Sequence, residues 1–427
     1  MKIVIAKTLL EQELGSICSV LTKGSIIDPG RYVVIKATKS SGLEMFVSRN
    51  DLLAGVTISP KDGLLDVEKE GECALDGKFL LKTLQASALQ DKITLEFCAL
   101  DKGEDDVLEN DDDVAGDADD KSKAKDDKSD KVQKKSGTVK GSYDTSDEAF
   151  TIQTVEWDKK PDLSISGGVV VKTSGSDFEG LVKRVGVAAG DNKLDSDHTN
   201  IFLRGKDKIL DLVTKTTTQL AWGKAPADAQ AECEIIVPYH LVKEVSGMLS
   251  SGPIELVVVE KSASMPKSLF FKQEAMYGTN VSGQRTARIP GIGVKFGAFE
   301  TRIGQLDFSR TCQFSSQSLR LVCDALDLFQ YVRTKVSYDP SKKRVSFSKK
   351  EANTILKTLE VEAPAGAQLG DALELDASSK HFKQIVSVCD EDILRMELSG
   401  KETLLMVGVP ERDGESYSRF RCYFMPF

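Results

Sequence analysis

Few side chains in this sequence have the types and spacing that catalysis or metal binding requires. The histidines are His198, His240 and His381, and none has a second histidine or a cysteine at the spacing typical of metal ligands. The glycine-rich run from Gly291 to Gly297 is one residue too long for the dinucleotide-binding pattern G-x-G-x-x-G. The motifs of P-loop nucleotidases, serine hydrolases and zinc proteases are missing. We therefore expect a protein that is not an enzyme and that binds no metal and no cofactor.

The cysteines and the apolar runs indicate the compartment. Eight cysteines are scattered along the chain without a C-x-x-C pair, a pattern typical of reduced thiols rather than of a disulfide framework. No apolar run approaches the roughly 18 residues of a membrane helix. Lys7 and Glu11 interrupt the stretch that would be apolar in a signal peptide. We expect a soluble, cytoplasmic protein with no membrane partner.

The charge balance excludes a strongly basic nucleic-acid binder. Lysine and arginine number 57 against 66 aspartates and glutamates, which gives a net charge of −9 over 427 residues. Any contact with DNA or RNA must therefore come from a local basic surface. Residues 101–136 are acidic and lysine-rich with almost no apolar side chains. We predict a disordered insertion there, because such a segment cannot bury enough apolar surface to offset the entropy of ordering it.

The rest of the chain repeats one pattern three times. Apolar residues at helical spacing predict amphipathic helices at Leu9–Leu21, Phe178–Ala189 and Leu319–Phe329. Each helix is followed by short β-type runs and then by a strand, a helix, a polar turn and another strand. This second pattern begins at Cys73, Ile235 and Leu373. The recurrence predicts three copies of an α+β module. Their predicted bounds are 1–160, which contains the insertion at 101–136, then 161–307, and finally 308–427.

This order of elements, together with three segments, resembles the bacterial-type DNA polymerase sliding clamp, the beta subunit of the replicative DNA polymerase. The segments are the opening MKIVIAKTLLEQEL, IIVPYHLVKEVSGMLSSGPIELVVV from Ile235, and the terminal YFMPF. The resemblance covers all three modules but not the insertion, and suggests a divergent or phage member. It implies an α+β fold of three repeated clamp modules, each with two helices packed on antiparallel sheets. Two chains would close head to tail as a homodimeric ring.

The resemblance also implies a function without chemistry. The ring would encircle double-stranded DNA as a processivity factor and tether the DNA polymerase and other partners that carry a peptide motif. A clamp loader would place it on DNA, in a bacterial cell or a phage-infected host. Three alternatives stay open. They are a structural or scaffold protein such as a virion component, a polymerase accessory factor that does not encircle DNA, and an enzyme with an atypical site.

Three groups of candidate site residues follow from the polar helix faces and from the resemblance. The DNA-facing candidates are Lys23, Lys78, Lys82, Lys183, Arg184, Lys243, Arg320, Lys380 and Lys383; individually, each could equally be an ordinary solvated residue. The partner-peptide pocket, between the second and third modules, would be lined by Leu220, Pro290, Met425, Pro426 and Phe427. The dimer contact would involve Phe150 and Ile152, which share one face of a predicted edge strand, and Leu328 and Phe329 at a helix end.

The sequence departs from the family pattern next to Leu220. The residues before it, Thr216 to Gln219, replace the Asp-Gly-His-Arg type of run that is usual there. The resemblance therefore implies a pocket that prefers a different peptide. The alternative for the terminal YFMPF is a last strand with aromatic residues that only pack in the core.

Overall fold

The chain forms two compact units of helices and antiparallel sheets. Unit 1 consists of Met1–Val47, Val56–Pro161 and Met276–Ser282, and unit 2 of Ser48–Gly55, Asp162–Ala275 and Gly283–Phe427. The computed structural model describes residues 1–424 except for 23–27, 61–63, 88–90, 100–136, 144–145, 156–162, 190–198, 217, 261–265, 278–280, 294–295, 297–298, 306–307, 309, 329–332, 340, 343, 352–353, 363–372, 399–404 and 412–418. The predicted insertion at 101–136 thus lies outside the described residues.

The first part of the chain contains nine strands and two helices. The strands are β1 Lys2–Ala6, β2 Tyr32–Thr38, β3 Gly42–Ser48, β4 Leu53–Ile58, β5 Leu65–Lys69, β6 Gly71–Asp76, β7 Lys92–Ala99, β8 Gly137–Tyr143 and β9 Ser146–Val155. The helices are α1 Lys7–Cys18 and α2 Gly77–Ala86, with a short 3-10 helix at Pro29–Arg31. In unit 1 the strands follow the order β3-β2-β6-β9-β8-β7-β1-β5.

The second part of the chain carries the remaining elements. Its helices are α3 Gly175–Val185, α4 Tyr239–Met248, α5 Phe299–Gly304, α6 Ser316–Leu328 and α7 Ser379–Val388, with a 3-10 helix at Gly186–Ala188. Its strands are β10 Val169–Ser174, β11 Asn200–Lys206, β12 Ile209–Lys215, β13 Gln219–Pro226, β14 Asp228–Ala229, β15 Cys233–Pro238, β16 Pro253–Val259, β17 Ser268–Tyr277, β18 Val281–Pro290, β19 Arg310–Ser315, β20 Arg333–Asp339, β21 Arg344–Glu351, β22 Thr354–Glu362, β23 Leu373–Ser378, β24 Ile393–Leu398, β25 Leu405–Gly408 and β26 Phe420–Phe424.

Unit 2 contains an eight-stranded antiparallel sheet that runs across the predicted boundary at 307. Its order is β15-β11-β12-β13-β26-β25-β24-β19. The connection is made by β13 and β26, which pair from Gln219 opposite Phe424 to Gly223 opposite Phe420. Two further groups of strands have the orders β14-β10-β16-β17-β18 and β22-β21-β20-β23. The chain thus has two compact units where the sequence predicts three modules, and the threefold division stays a prediction.

The three amphipathic helices predicted from apolar spacing correspond to α1, α3 and α6. In α3, Ser174 caps the first turn by accepting a hydrogen bond from the Asp177 amide at 3.0 Å. The apolar stripe of α3 packs on β13 where Gly223 leaves room. A Cβ atom at Gly223 would lie 2.7 Å from Leu181 Cδ2 and 3.1 Å from Val185 Cγ1. Glycine therefore permits a closer approach of helix and sheet than any residue with a side chain.

The structure places β9 beside β8 and β6. It pairs with β8 along most of its length and with β6 only at Thr154 and Val155, so the described pairing at Phe150 and Ile152 is with β8 alone. The Ile152 side chain is buried in unit 1, and its part in a dimer contact stays a prediction. The half-buried Phe150 lies over Gly141, where a Cβ atom would be 2.2 Å from its ring. The alternation of apolar residues in the sequence predicted that Phe150 and Ile152 share one face of β9. It did not predict which parts of the protein cover that face.

Two other residues of the predicted dimer contact are only partly placed. Leu328 is the last residue of α6, and Phe329 lies outside the described residues.

Among the helices that the structure describes, none combines the length and the apolar character needed to cross a membrane.

Replacing Ile152 with alanine should lower the free energy of unfolding by about 2–5 kcal/mol, because it removes buried methyl groups and leaves a cavity. Denaturant unfolding followed by circular dichroism measures the change. Thr151→Ala, on the exposed face of the same strand, is the matched control and should change it by less than about 0.5 kcal/mol. Equally small effects at both positions would contradict the burial of Ile152.

Candidate DNA-facing surface and partner-peptide site

The two candidate lysines on α2 have different surroundings. Lys78 is half-buried, and its Nζ donates hydrogen bonds of 3.2 Å to the carbonyl oxygens of Leu21 and Thr22, just beyond the end of α1. Its charge therefore satisfies carbonyl groups after the helix. Lys82, one turn further along α2, is exposed. Of this pair, only Lys82 presents its ammonium group to solvent. The remaining candidate of unit 1, Lys23, lies outside the described residues.

Arg184 is bound to a carboxylate instead of facing solvent. Its Nη2 lies 2.7 Å from Glu391 Oε1, and the two side chains are only 17% and 13% exposed. This ion pair links α3 to the turn between α7 and β24. The guanidinium charge is thus largely neutralised inside unit 2, and the placement of Arg184 on a DNA-facing surface stays a prediction. The neighbouring Lys183 is exposed.

The other candidates of unit 2 also divide into engaged and exposed residues. Arg320 on α6 donates a hydrogen bond of 2.8 Å from Nη2 to the Cys389 carbonyl oxygen. Lys383 on α7 is half-buried, whereas Lys243 on α4 and Lys380 on α7 are exposed. Five candidates have exposed side chains, namely Lys82, Lys183, Lys243, Arg320 and Lys380, and of these Arg320 makes the hydrogen bond to Cys389. The four lysines can reach an anion without breaking a contact described above.

The pairing of β13 with β26 brings Leu220, one residue of the predicted partner-peptide pocket, next to the last described strand. Leu220 lies directly opposite Tyr423, so the chain end runs beside the strand that carries Leu220. Met425, Pro426 and Phe427 follow β26 but lie outside the described residues. Since Leu220 and Tyr423 are cross-strand neighbours, the alternative that the terminal aromatic residues pack against the sheet holds for Tyr423, which is buried.

Leu220 lies at the centre of an apolar surface on one face of the eight-stranded sheet. It contacts two clusters. The first is formed by Phe202, Val213, Ile236 and Phe296 with Trp222 and Phe299. The second is formed by Met406 and Tyr423 with Ile303 and Phe308. We call this the apolar sheet face. The segment with Phe296, Phe299, Ile303 and Phe308, which includes α5, covers it and is called the α5 strap.

Aromatic side chains join the α5 strap to the sheet. The Phe299 ring meets the Trp222 ring edge to face at 5.3 Å, and the Phe308 ring lies 5.8 Å from the Tyr423 ring. Lys215 donates a hydrogen bond of 2.7 Å from Nζ to the Phe296 carbonyl oxygen. The strap is thus held by ring contacts and by a charge-assisted hydrogen bond.

A charged network adds a further link between the strap and the sheet. The Arg204 guanidinium donates to Asp211 Oδ2 at 2.7 Å and to Glu300 of α5 at 2.5 and 3.0 Å. Trp222 Nε1 donates to the other oxygen of the buried Asp211 at 2.9 Å. The hydrogen bonds that Arg204 donates lower the pKa of Glu300, and the acceptance of hydrogen bonds by Glu300 and Asp211 helps to raise the pKa of Arg204. Both groups of the pair therefore stay charged at neutral pH.

Pro290, the remaining pocket candidate, is exposed at the end of β18. After it, the Gly291 amide donates to the Lys267 carbonyl oxygen at 2.7 Å, and the Ile292 amide donates to that of Ile236 at 2.8 Å. Because Ile236 belongs to the first cluster, the chain after Pro290 reaches the edge of the apolar sheet face. The structure thus brings Leu220 and the segment after Pro290 to one face of unit 2.

Sequence reasoning missed most of the residues that build this face. Trp222, Arg204 and Asp211 lie on three neighbouring strands and have no sequence motif in common. Phe296 lies within the glycine-rich run from Gly291 to Gly297, which is typical of a loop, and Phe299, Glu300 and Phe308 follow it. The only available signal was the concentration of phenylalanines in this stretch, which is unusual for a solvated loop.

Reactive side chains are not gathered in the part of the chain that the structure describes. Burial raises the pKa to about 12 for five thiols, those of Cys18, Cys73, Cys312, Cys323 and Cys389, so these thiols are protonated at neutral pH. Burial and the nearby Lys380 lower the pKa of His381. No group of three histidine, cysteine or acidic side chains in the described residues could hold a metal ion.

Comparison with known proteins places the fold. No family model and no curated protein sequence matches the chain. The structure is similar to that of the DNA polymerase sliding clamp from Bacillus subtilis, with a TM-score of 0.74, 13% identity, and coverage of 100% of this chain and 99% of that chain. The DNA polymerase III beta subunit from Thermotoga maritima gives a TM-score of 0.72 at 13% identity, with the same coverage.

A third solved structure, the beta clamp from Helicobacter pylori bound to a DNA ligase peptide, gives a TM-score of 0.68 at 15% identity and covers 100% of both chains. These matches confirm the predicted α+β sliding-clamp fold over the whole chain. The low identities show that this sequence has diverged strongly from those of the three clamps.

The ion pair between Arg184 and Glu391 should couple the two residues in a double-mutant cycle. Replacing each with leucine, singly and together, should give an interaction energy of about 1–3 kcal/mol in denaturant unfolding, because both side chains are mostly buried. The exposed pair Lys206 and Glu232, at 3.2 Å, is the control and should couple by less than about 0.5 kcal/mol. Equal interaction energies in the two cycles would contradict the assignment of Arg184 and Glu391 as a mostly buried ion pair.

The contact between Arg204 and Glu300 should make stability depend on pH. Because the folded pKa of Glu300 is lowered from its ordinary value of 4.5, the unfolded chain binds more protons between these two values. The stability advantage of the natural protein over Glu300→Gln should be complete above pH 4.5 and should decline as the pH falls through the lowered pKa. Urea unfolding across this range measures it, and a constant difference would contradict the assignment.

Proposed function

We propose that this protein is a DNA sliding clamp. Two copies would close into a ring around duplex DNA, and the ring would tether a DNA polymerase and other proteins that carry a short peptide motif. The protein would perform no chemistry, so processivity would come from topology instead of tight binding. A clamp loader would be required, because a closed ring cannot pass over the interior of a long DNA molecule.

The observation that carries this proposal is the extent of the structural likeness. The sliding-clamp fold covers the whole chain and 99–100% of the three clamps compared.

The partner-peptide site is supported by the chemistry of unit 2. Leu220 stays half-buried beside β26 although the α5 strap covers the apolar sheet face, and the predicted pocket residues Met425 to Phe427 follow that strand in the sequence. Apolar side chains with a few polar groups are the usual basis for capturing a short peptide. The Helicobacter pylori clamp of the same fold was solved with a DNA ligase peptide. We infer that this chain also binds its partners through a peptide, next to Leu220.

The contact with DNA would be weak because the chain carries few exposed lysines on its helices and a net negative charge. Lys82, Lys183, Lys243 and Lys380 have exposed side chains on helices, within a chain of net charge −9. A few lysines give weak, salt-dependent contacts with phosphates that are independent of base sequence. Such contacts suit a ring that must move along DNA. For the dimer contact, Phe150, Ile152, Leu328 and Phe329 remain the candidates.

Retention on DNA and polymerase stimulation together test the function. After loading, the natural protein should stay on nicked circular DNA through gel filtration and slide off after the circle is linearised. A variant that lacks Met425–Phe427 should be retained equally but should no longer stimulate processive synthesis by its cognate polymerase, because the peptide pocket is incomplete.

Each outcome of this experiment has a distinct meaning. Equal retention on circular and linear DNA would indicate an accessory factor that does not encircle DNA, and no retention on either would favour a structural protein. Full stimulation by the truncated variant would refute the placement of the peptide pocket. Size-exclusion chromatography of the variant is the control, since loss of the dimer would instead indicate that the terminal residues pack in the core.

A further inference from the structure

A cleft of about 410 Å³ lies in unit 2 between α3, α4 and α7. Two of the four exposed candidate lysines, Lys183 of α3 and Lys243 of α4, both line it. No local sequence pattern pairs these two lysines, because they lie on different helices. Glu179, one turn before Lys183 on the same face of α3, also lines the cleft. The lining side chains therefore carry two positive charges and one negative charge.

The cleft has an apolar part as well as a charged part. Val182, Val187 and Val388 contribute aliphatic surface, and the Tyr239 ring lies beside them. The Tyr239 hydroxyl donates a hydrogen bond of 3.2 Å to the Val182 carbonyl oxygen, which fixes the ring. Burial raises the pKa of Tyr239 to about 12, so this ring stays neutral and does not repel an anion.

Polar groups of α7 complete the lining. Gln384 is half-buried and Ser387 is exposed, and both contribute to the cleft. An amide offers two donors and an acceptor, and a hydroxyl offers one donor and accepts as well. The cleft thus combines ammonium groups, apolar surface and groups that can read a donor and acceptor pattern. It fits a ligand with an anionic end and a flat, partly apolar body with polar edges.

We infer that this cleft binds one unpaired nucleotide of single-stranded DNA, with its phosphate at Lys183 and Lys243 and its base against Val187 and Val388. The inference rests on the proposed function only for the choice of DNA as the ligand. Gln384 and Ser387 then face the polar edge of the base. Glu179 opposes a phosphate on its side of the cleft and so favours one orientation of the strand.

Single-stranded DNA fits the cleft better than duplex DNA does. The bases of a duplex are stacked inside the double helix. Its surface therefore offers phosphates and sugars to the protein, but no face of a base that could pack on the valines of the cleft. An unpaired base can leave the stack and lie on protein side chains, which is how single-strand binders gain sequence-tolerant affinity. A duplex contact would use the two lysines and leave the valines without a partner.

Fluorescence anisotropy with labelled oligothymidylate, an abasic strand of the same length and a duplex tests the inference. Lys183→Gln combined with Lys243→Gln should weaken oligothymidylate binding about tenfold. The slope of the logarithm of the binding constant against the logarithm of the salt concentration should become less steep by about 0.7 for each lysine. Glu179→Gln should strengthen it. The natural protein should bind the abasic strand about tenfold more weakly than oligothymidylate, because the base contact is lost.

The exposed Lys208, which lies outside the cleft, provides the matched control. Lys208→Gln removes one positive charge by the same lysine-to-glutamine change, but outside the cleft. It should leave oligothymidylate binding within twofold of that of the natural protein. Equal weakening of single-strand and duplex binding by the cleft variants, or equal affinity for the abasic strand, would overturn the inference. Binding of thymidine monophosphate as tight as that of the strand would overturn the assignment to a strand. Failure of the proposed function would appear separately, as loss of retention of the natural protein on circular DNA.

Discussion

The antiparallel pairing of β13 with β26 is the constraint on which the candidate peptide site depends. It joins residues about two hundred positions apart and places Leu220 opposite Tyr423. Side chains alternate between the two faces of a strand, so a slip of one residue would move both side chains to the other face of the sheet. The apolar sheet face therefore exists only in the observed register. Deep burial of Tyr423 and of Gly223 on opposite faces fixes that register.

Both faces of this sheet are covered, which explains why its buried charge needs partners. The α3 helix packs on one face over Gly223, and the α5 strap lies on the other. Asp211 is 3% exposed beneath the strap, where an unpaired carboxylate would be costly. Arg204 and Trp222 provide its hydrogen bonds, and Arg204 also binds Glu300 of the strap. The group that neutralises the buried charge thus also fixes the strap.

Periodic patterns in the sequence were sufficient for the helices and for the fold class, but not for long-range partners. The stripes of α1, α3 and α6 are local, and so their positions could be predicted to within a few residues. The binding of Arg184 to Glu391 depends on how α3 meets a turn 207 residues later, which no local pattern records. The burial of Ile152 likewise depends on which strands flank β9. Leu220 was found by a local match, whereas the α5 strap carries no motif.

The long-range contacts also determine how many basic side chains of the described residues are engaged within the protein. Lys78, Arg184 and Arg320 use their charges on carbonyl oxygens and on a carboxylate of their own unit. Each such contact leaves one basic side chain fewer that could contact a phosphate and release its counterions. The affinity of a protein for DNA depends steeply on the number of such phosphate contacts. Structural use of these basic residues therefore weakens any grip on duplex DNA without changing the net charge of the chain. Under the proposed function, the lysines that remain exposed on the helices are the ones available to contact a strand.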